Sequence, residues 1–395
     1  MPTKLPPLTP LPHTSGPSID ESLYFKDHVS AMCAALSVRY GQSFSETCSP
    51  SLLDLPGLVN PNPPSPELLE ECGQPDSIPS INGGVFAAVK KLSDIPSPHS
   101  LPHHRVWLVG DSLIDQQQGN AVICALHEIP DIKLSVYNPG LYFPVVVDAP
   151  KEMKLHYDIK RNQILSKFID SKPLTAAQNS VFNNYLVIDH PSFGRPVSLS
   201  YTFAYGYPPH IMHLSDGLEP CYLFPVGHIE AFAPLYDTVV FNVGLHHLSM
   251  EEEAVIEYRA TVTDLMGIAQ SQPNGFMLET ISQHFCEEDG SFEMTFLATF
   301  GKSLVVQKNR NKDCTGPHSM DAWKSTGNWR NNALAEIAKS KAFNNVIKVA
   351  EYFVHTIGGK YRKGDGDCSH VSKEKMGGHS GVLAKWLEVL GKEYL

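Results

Sequence analysis

No apolar run in this sequence approaches the roughly 20 residues that cross a bilayer as a helix, so a transmembrane segment is not expected. No pair of cysteines stands in C-x-x-C spacing, which argues against a zinc ribbon or a thioredoxin-like centre. The eight cysteines in 395 residues are far too sparse for a small disulfide scaffold, and their pairing is not readable from spacing. There is no excess of positive charge. Asp and Glu outnumber Lys and Arg by 42 to 31, giving −11, and no basic stripe is interleaved with aromatics, which excludes a nucleic-acid or anionic-membrane partner as the first expectation. No Asn-x-Ser/Thr acceptor for glycosylation occurs. The opening "MPTKLPPLTPLPHTSGPS" lacks the apolar centre of a signal peptide, so the expectation is a cytoplasmic protein or a chain given without its native start.

What is present is a large apolar fraction, 42%, enough for a sizeable core. Residues 1–20 read as a proline-rich tail and 21–104 as an irregular region packed on a main domain, with one helical patch, "ESLYFKDHVSAMCAALSVRY". From Arg105 the pattern changes. "RVWLVG", "KLSVYN", "DTVVFNVG", "GFMLETI" and "VIKVAEYF" read as buried strands. "SLIDQQQGNAVICALHEI", "SMEEEAVIEYRATVTDLMGIAQ", "NWRNNALAEIAKSKAF" and "GVLAKWLEVLGKEY" read as helices, the second with Ser249 and Glu252 in capping-box spacing. Strands alternating with helices predict an α/β fold over 105–395 with a parallel sheet, and ligands at the carboxyl ends of its strands.

That rule directs attention to Gly110-Asp111-Ser112, where the first strand runs into a helix. A serine displayed there attacks a carbonyl while unpaired helix-start amides hold the oxyanion; the plain alternative is a serine capping a helix after a turn. It is not the G-x-S-x-G elbow, because Ile114 occupies the second glycine position. Near the end, "GDGDCSHVSK" carries Asp367 and His370 three apart. On one turn of helix this spacing puts both on one side, so Asp367 can accept from His370 Nδ1 and leave Nε2 for Ser112; a solvated turn with a surface histidine is the alternative. Gly140 after the second strand and Asn242 at the tip of the third are candidate oxyanion donors, with loop capping the alternative for Asn242. His246 and His247 are candidates for substrate contact. "FGKS" at 300–303 fails as a phosphate loop because Phe296 takes the place of the leading glycine, and "HEIPD" lacks the second histidine of a zincin, so neither a metal nor a cofactor is expected.

The ordered set "VGDSLIDQQ", Gly140, "VVFNVG", "ETISQHF" with Cys314 downstream, and "DCSH" resembles the SGNH/GDSL hydrolase superfamily. Within it the set is most similar to the PC-esterase branch, which includes the trichome-birefringence-like polysaccharide O-acetyltransferases. The resemblance implies a flavodoxin-like three-layer α/β/α sandwich with Ser112 as nucleophile, His370 as base and Asp367 as its partner. Ser112, Gly140 and Asn242 would then line the oxyanion hole, with Gly110 and Asp111 as motif support. It implies acyl transfer from an ester donor to a carbohydrate hydroxyl, with ester hydrolysis as the alternative reaction and a non-catalytic glycan-binding module as the alternative class. It also implies a secretory or Golgi setting. The chain departs from the plant enzymes after the serine motif, where Asp115-Gln116-Gln117 replaces Arg-Asn-Gln. It departs again at Leu245-His246-His247, in place of tryptophans, and at Val371-Ser372, in place of Trp-Cys.

Overall fold

The structure, a computed structural model, describes residues 21–40, 62–72, 79–97, 101–110, 119–137, 141–143, 180–203, 226–244, 252–280, 294–299, 302–307, 329–340, 342–343, 348–350, 362–364, 367–371, 380–393 and 395. The helices are α1 (Glu21–Tyr40), α2 (Pro66–Glu71), α3 (Pro79–Asp94), α4 (Gly119–Leu126), α5 (Val226–Phe232), α6 (Glu252–Gln270), α7 (Trp329–Ala338) and α8 (Ser380–Glu393). The strands are β1 (His104–Gly110), β2 (Lys133–Tyr137), β3 (Leu141–Phe143), β4 (Ser180–Asp189), β5 (Val197–Phe203), β6 (Thr238–Asn242), β7 (Gly275–Leu278), β8 (Met294–Thr299), β9 (Lys302–Gln307), β10 (Lys348–Ala350), β11 (Arg362–Gly364) and β12 (Asp367–Val371).

The chain is a mixed α/β protein. Its main sheet runs β10-β7-β6-β1-β5-β4-β2, with β3 continuing the β2 edge of β4. The pairs β10–β7, β7–β6, β6–β1 and β1–β5 are parallel, whereas β4 is antiparallel to β5, β2 and β3; β4 alone is reversed. Alternation along the strands sends side chains to two separate cores. On β1, Trp107 and Val109 join one cluster, and Val106 and Leu108 the other; on β6, Val239 and Phe241 oppose Val240. The first cluster takes residues of α1, α5, α6 and α7, and the second takes α3, α4 and α8. Helices therefore cover both faces, which is why the central strands read as continuous apolar runs.

The N-terminal region belongs to these same cores. Val29, Met32 and Leu36 of α1 enter the first cluster, and Val85, Ala88, Val89 and Leu92 of α3 enter the second. Residues 62–72 form a strap along the β2 edge. Asn62 exchanges two backbone hydrogen bonds with Val136, at 2.9 and 2.8 Å. Ser65 caps α2 by accepting from Leu68 N. Cys72 is then disulfide-bonded to Cys124 of α4, both nearly fully buried. Cys33 is also disulfide-bonded. Among the described residues no helix is long and apolar enough to cross a membrane.

The topology positions the site. From β1 the chain leaves through α4 to the β2 edge and returns through β4 and β5 to one flank of β1. It then crosses to β6 on the other flank and continues outward through β7 to β10. Connections diverge on either side of the β1–β6 pair, so the carboxyl ends of these two strands form a topological switch point, the expected ligand position in such sheets.

Candidate functional site

At that switch point Gly110 is in register with Asn242 on one side and with Phe203 on the other. Gly110 is the last residue of β1, and Asp111 and Ser112 follow it. Asp111, Ser112, Gly140, His246 and His247 lie outside the described residues, as does Ser249. What the structure gives is the frame on which the serine motif is carried, and Asn242 is its best-defined member.

Asn242 is fully buried. Its Nδ2 donates to Glu279 O at 2.7 Å and to Leu278 O at 3.3 Å. Two carbonyl oxygens can only accept, so the amide orientation is fixed with nitrogen toward the end of β7. The Oδ1 atom is buried and has no hydrogen-bond partner among the described residues. The side chain read from the sequence as an oxyanion donor thus has its Nδ2 turned to the end of β7. Nδ2 lies against two carbonyl oxygens, one at long distance, and among the described residues no donor reaches Oδ1. An oxyanion at this side chain has to displace the 3.3 Å contact to Leu278 O.

The end of β7 is held on two sides. Glu279 N donates to Ala350 O of β10 at 3.1 Å. Asn331, on α7, grips Thr280 with both ends of its amide: Oδ1 accepts from Thr280 N at 2.9 Å and Nδ2 donates to Thr280 O at 3.1 Å. Asn331 and Thr280 are buried, and among the described residues Thr280 Oγ1, like Asn242 Oδ1, has no partner. The neighbouring Arg330, buried under Trp329, donates from Nη1 to Gly244 O at 3.1 Å. Gly244 itself has φ +131°, a conformation that favours glycine, and turns the chain away from the sheet two residues after Asn242. Sequence reasoning missed Thr280, Arg330 and Asn331. "NWRNN" reads as a polar helix start, and nothing local marks two of its residues as buried.

No family model, curated protein or solved structure matches this chain.

Asp367 and His370 are on β12, which forms an antiparallel two-stranded ribbon with β11, where Gly364 pairs with Asp367. The expectation of one helical turn is corrected: the segment is extended. For Gly140 the neighbours are informative. β2 and β3, which flank it, lie three strands from β1, roughly 14 Å at about 4.8 Å per strand. Among the described residues no group of three or more His, Cys, Asp or Glu is arranged to hold a metal.

A different Ser–His pair is fully described and serves as a contrast. His190 Nε2 bonds to Pro130 O at 3.1 Å, so the proton is on Nε2 and Nδ1 accepts from Ser192 Oγ at 2.7 Å. An oxyanion hole is missing there. Ser192 N donates to His190 Nδ1, Phe193 N to His190 O, and Gly194 N to Ser93 Oγ. With all three turn amides engaged, the pair locks a turn rather than forming a reaction centre.

Proposed function

We propose that the chain is a serine-dependent acyl-ester enzyme that transfers an acyl group, acetyl in the favoured reading, to a carbohydrate hydroxyl. In the first half-reaction Ser112 Oγ bonds to the ester carbonyl carbon while His370 takes the hydroxyl proton. The ester C–O bond then breaks, and the leaving alkoxide receives that proton. In the second, an acceptor hydroxyl gives its proton to His370 and bonds to the acyl carbon; the Ser112–acyl bond breaks and Ser112 regains a proton. Asp367 orients His370 and stabilises its cation. The oxyanion falls to the Ser112 N–H, with the Asn242 amide, on giving up its 3.3 Å contact to Leu278 O, as the further donor in this reading. No metal or dissociable cofactor takes part in these steps.

One observation carries the reading: Gly110 and Asn242, picked from sequence for separate reasons, are register neighbours at the carboxyl ends of adjacent parallel strands where the topology reverses. The succession β1-β6-β7-β10 with helices on both faces supports the finer fold reading, a flavodoxin-like sandwich widened by the β2–β5 segment. It fits the SGNH/PC-esterase resemblance. The disulfide-bonded Cys33, Cys72 and Cys124 fit folding in an oxidising, secretory compartment.

The test is labelling of the folded full chain by a fluorophosphonate, with peptide mapping. Ser112 is the expected adduct, Ser192→Ala leaves labelling intact, and Ser112→Ala abolishes it and lowers p-nitrophenyl acetate turnover by several orders of magnitude. Folded protein unlabelled at Ser112 refutes the assignment. Acetylated product from added oligosaccharide, against free acetate alone, separates transfer from hydrolysis.

A further inference from the structure

We infer that Asn331 is a positioning residue for this site. It sets the orientation of the Asn242 amide through the end of β7, and the inference rests on the reading of the β1–β6 strand ends as the reaction centre. The path is a continuous run of short contacts. Asn331 holds both the N–H and the C=O of Thr280, at 2.9 and 3.1 Å. Glu279, one residue earlier, is tied through its N–H to Ala350 O. Between these two anchors the Glu279 carbonyl has one direction left to point, and it receives the 2.7 Å bond from Asn242 Nδ2. Asn242 stands beside Gly110 at the root of the serine loop.

The energetics say that this orientation is imposed. A buried amide oxygen without a donor is unfavourable, and so is a buried hydroxyl without a partner. Among the described residues Asn242 Oδ1 and Thr280 Oγ1 are both in that state. A fold optimised for stability alone has no use for two orphaned polar atoms on adjacent strand ends, whereas a site that completes them with substrate or water does. Turning the Asn242 amide over does not relieve the problem while Glu279 O stays where Asn331 and β10 hold it, because two oxygens then face each other. Asn331 thereby keeps Asn242 Nδ2 anchored on Glu279 O, so that the long 3.3 Å contact to Leu278 O is the one an oxyanion takes over.

The experiment compares Asn331→Ala, Asn242→Ala and the double variant in the full chain. Turnover is read with p-nitrophenyl acetate, and side-chain amide hydrogen exchange of Asn242 is read by NMR. Asn331→Ala is expected to lower kcat about tenfold or more while KM stays within about twofold, and to speed exchange of the Asn242 amide. In the Asn242→Ala background it is expected to change kcat by less than about twofold, because the group it positions is already gone. Multiplicative losses, or unchanged exchange, overturn the inference. Asn331→Asp covers the case in which the alanine variant does not fold. A neutral carboxyl restores both bonds to Thr280 and an ionised one restores only the bond from N–H, so its kcat relative to wild type is expected to rise as pH is lowered. A flat ratio counts against the role. If Ser112→Ala keeps the wild-type rate, the nucleophile reading falls, and the exchange measurement then judges the Asn331 contact on its own.

Discussion

Gly244 shows what a single residue contributes to the site. Its φ of +131° is rarely adopted by a residue with a side chain, and a Cβ placed there meets Tyr258 Cε2 at 3.1 Å, with Arg330 Cδ and Thr280 Cβ at 3.5 Å. Gly244→Ala therefore adds backbone strain to a close contact and is expected to destabilise by about 1–3 kcal/mol. Gly267 in α6 is the opposite case: a Cβ there meets nothing within 4 Å, and the backbone is helical. Gly267→Ala is expected to stabilise by about 0.5–1 kcal/mol through helix propensity and a less flexible unfolded chain. Urea denaturation of the two variants checks both signs, and equal effects refute the distinction. At this scale the sequence was half legible. Asn242 stood out because a polar residue at the tip of an apolar strand needs a reason. Asn331 did not, because its work is to bond the backbone of a residue 51 positions away, and no local pattern encodes a tertiary partner.

Among the elements, those with a strong single period were readable. "RVWLVG", "DTVVFNVG" and "GFMLETI" are β1, β6 and β7 because central parallel strands are apolar on both faces, and "GVLAKWLEVLGKEY" is α8. The ribbon β4–β5 was not resolved from sequence. Its polar and aromatic residues, as in "SVFNNYLVID", blur the alternation, and the reversed direction of β4 depends on pairing that only the folded sheet supplies. The strap was equally hidden, since Cys72 and Cys124 are 52 residues apart with nothing in their spacing to pair them. Its role can be weighed. Closing a loop of that length lowers the entropy of the unfolded chain, and the chain-entropy estimate gives about 4 kcal/mol of stabilisation. The double variant Cys72→Ala/Cys124→Ala is expected to lose stability of that order, and to lose amide-exchange protection first at Asn62 and along β2, where the strap covers the sheet edge. Unchanged protection of Val136 shows that the strap holds without the disulfide.

The whole molecule separates two ends of one sheet. The carboxyl ends of β1, β6 and β7 carry the candidate site, while the amino ends are stitched by a buried polar network. Asp237 accepts from Arg105 N at 2.8 Å and from Ser97 Oγ, His104 Nε2 shares a 3.0 Å hydrogen bond with Thr238 Oγ1, and Arg195 Nη2 lies 3.1 Å from His104 Nδ1. Burial holds His104 to about 4, with Arg195 adding to the effect and Asp237 opposing it; burial, with Arg105 and Arg195, holds His103 to about 4 as well. His28, buried against Tyr236, is also held well below its ordinary value, by burial and by Arg105. The sign follows directly. These rings are neutral in the folded chain and titrate near 6.5 when unfolded, so below about pH 6.5 the unfolded state binds more protons. Their contribution is present in full above that pH and is lost as pH falls toward 4. With two rings lowered to about 4, the loss by pH 4 is on the order of a few kcal/mol per ring, with His28 adding to it. That is comparable with the entire stability of an ordinary domain. Urea midpoints measured at pH 7.5, 6 and 5 are expected to fall steadily, with two to three protons taken up per molecule on unfolding as pH nears 5. His104→Gln keeps the polar contacts without a titrating ring and is expected to flatten the slope by about one proton. A wild-type midpoint that is constant from pH 7.5 to 5 rules out neutral buried histidines as the acid-sensitive part of this fold.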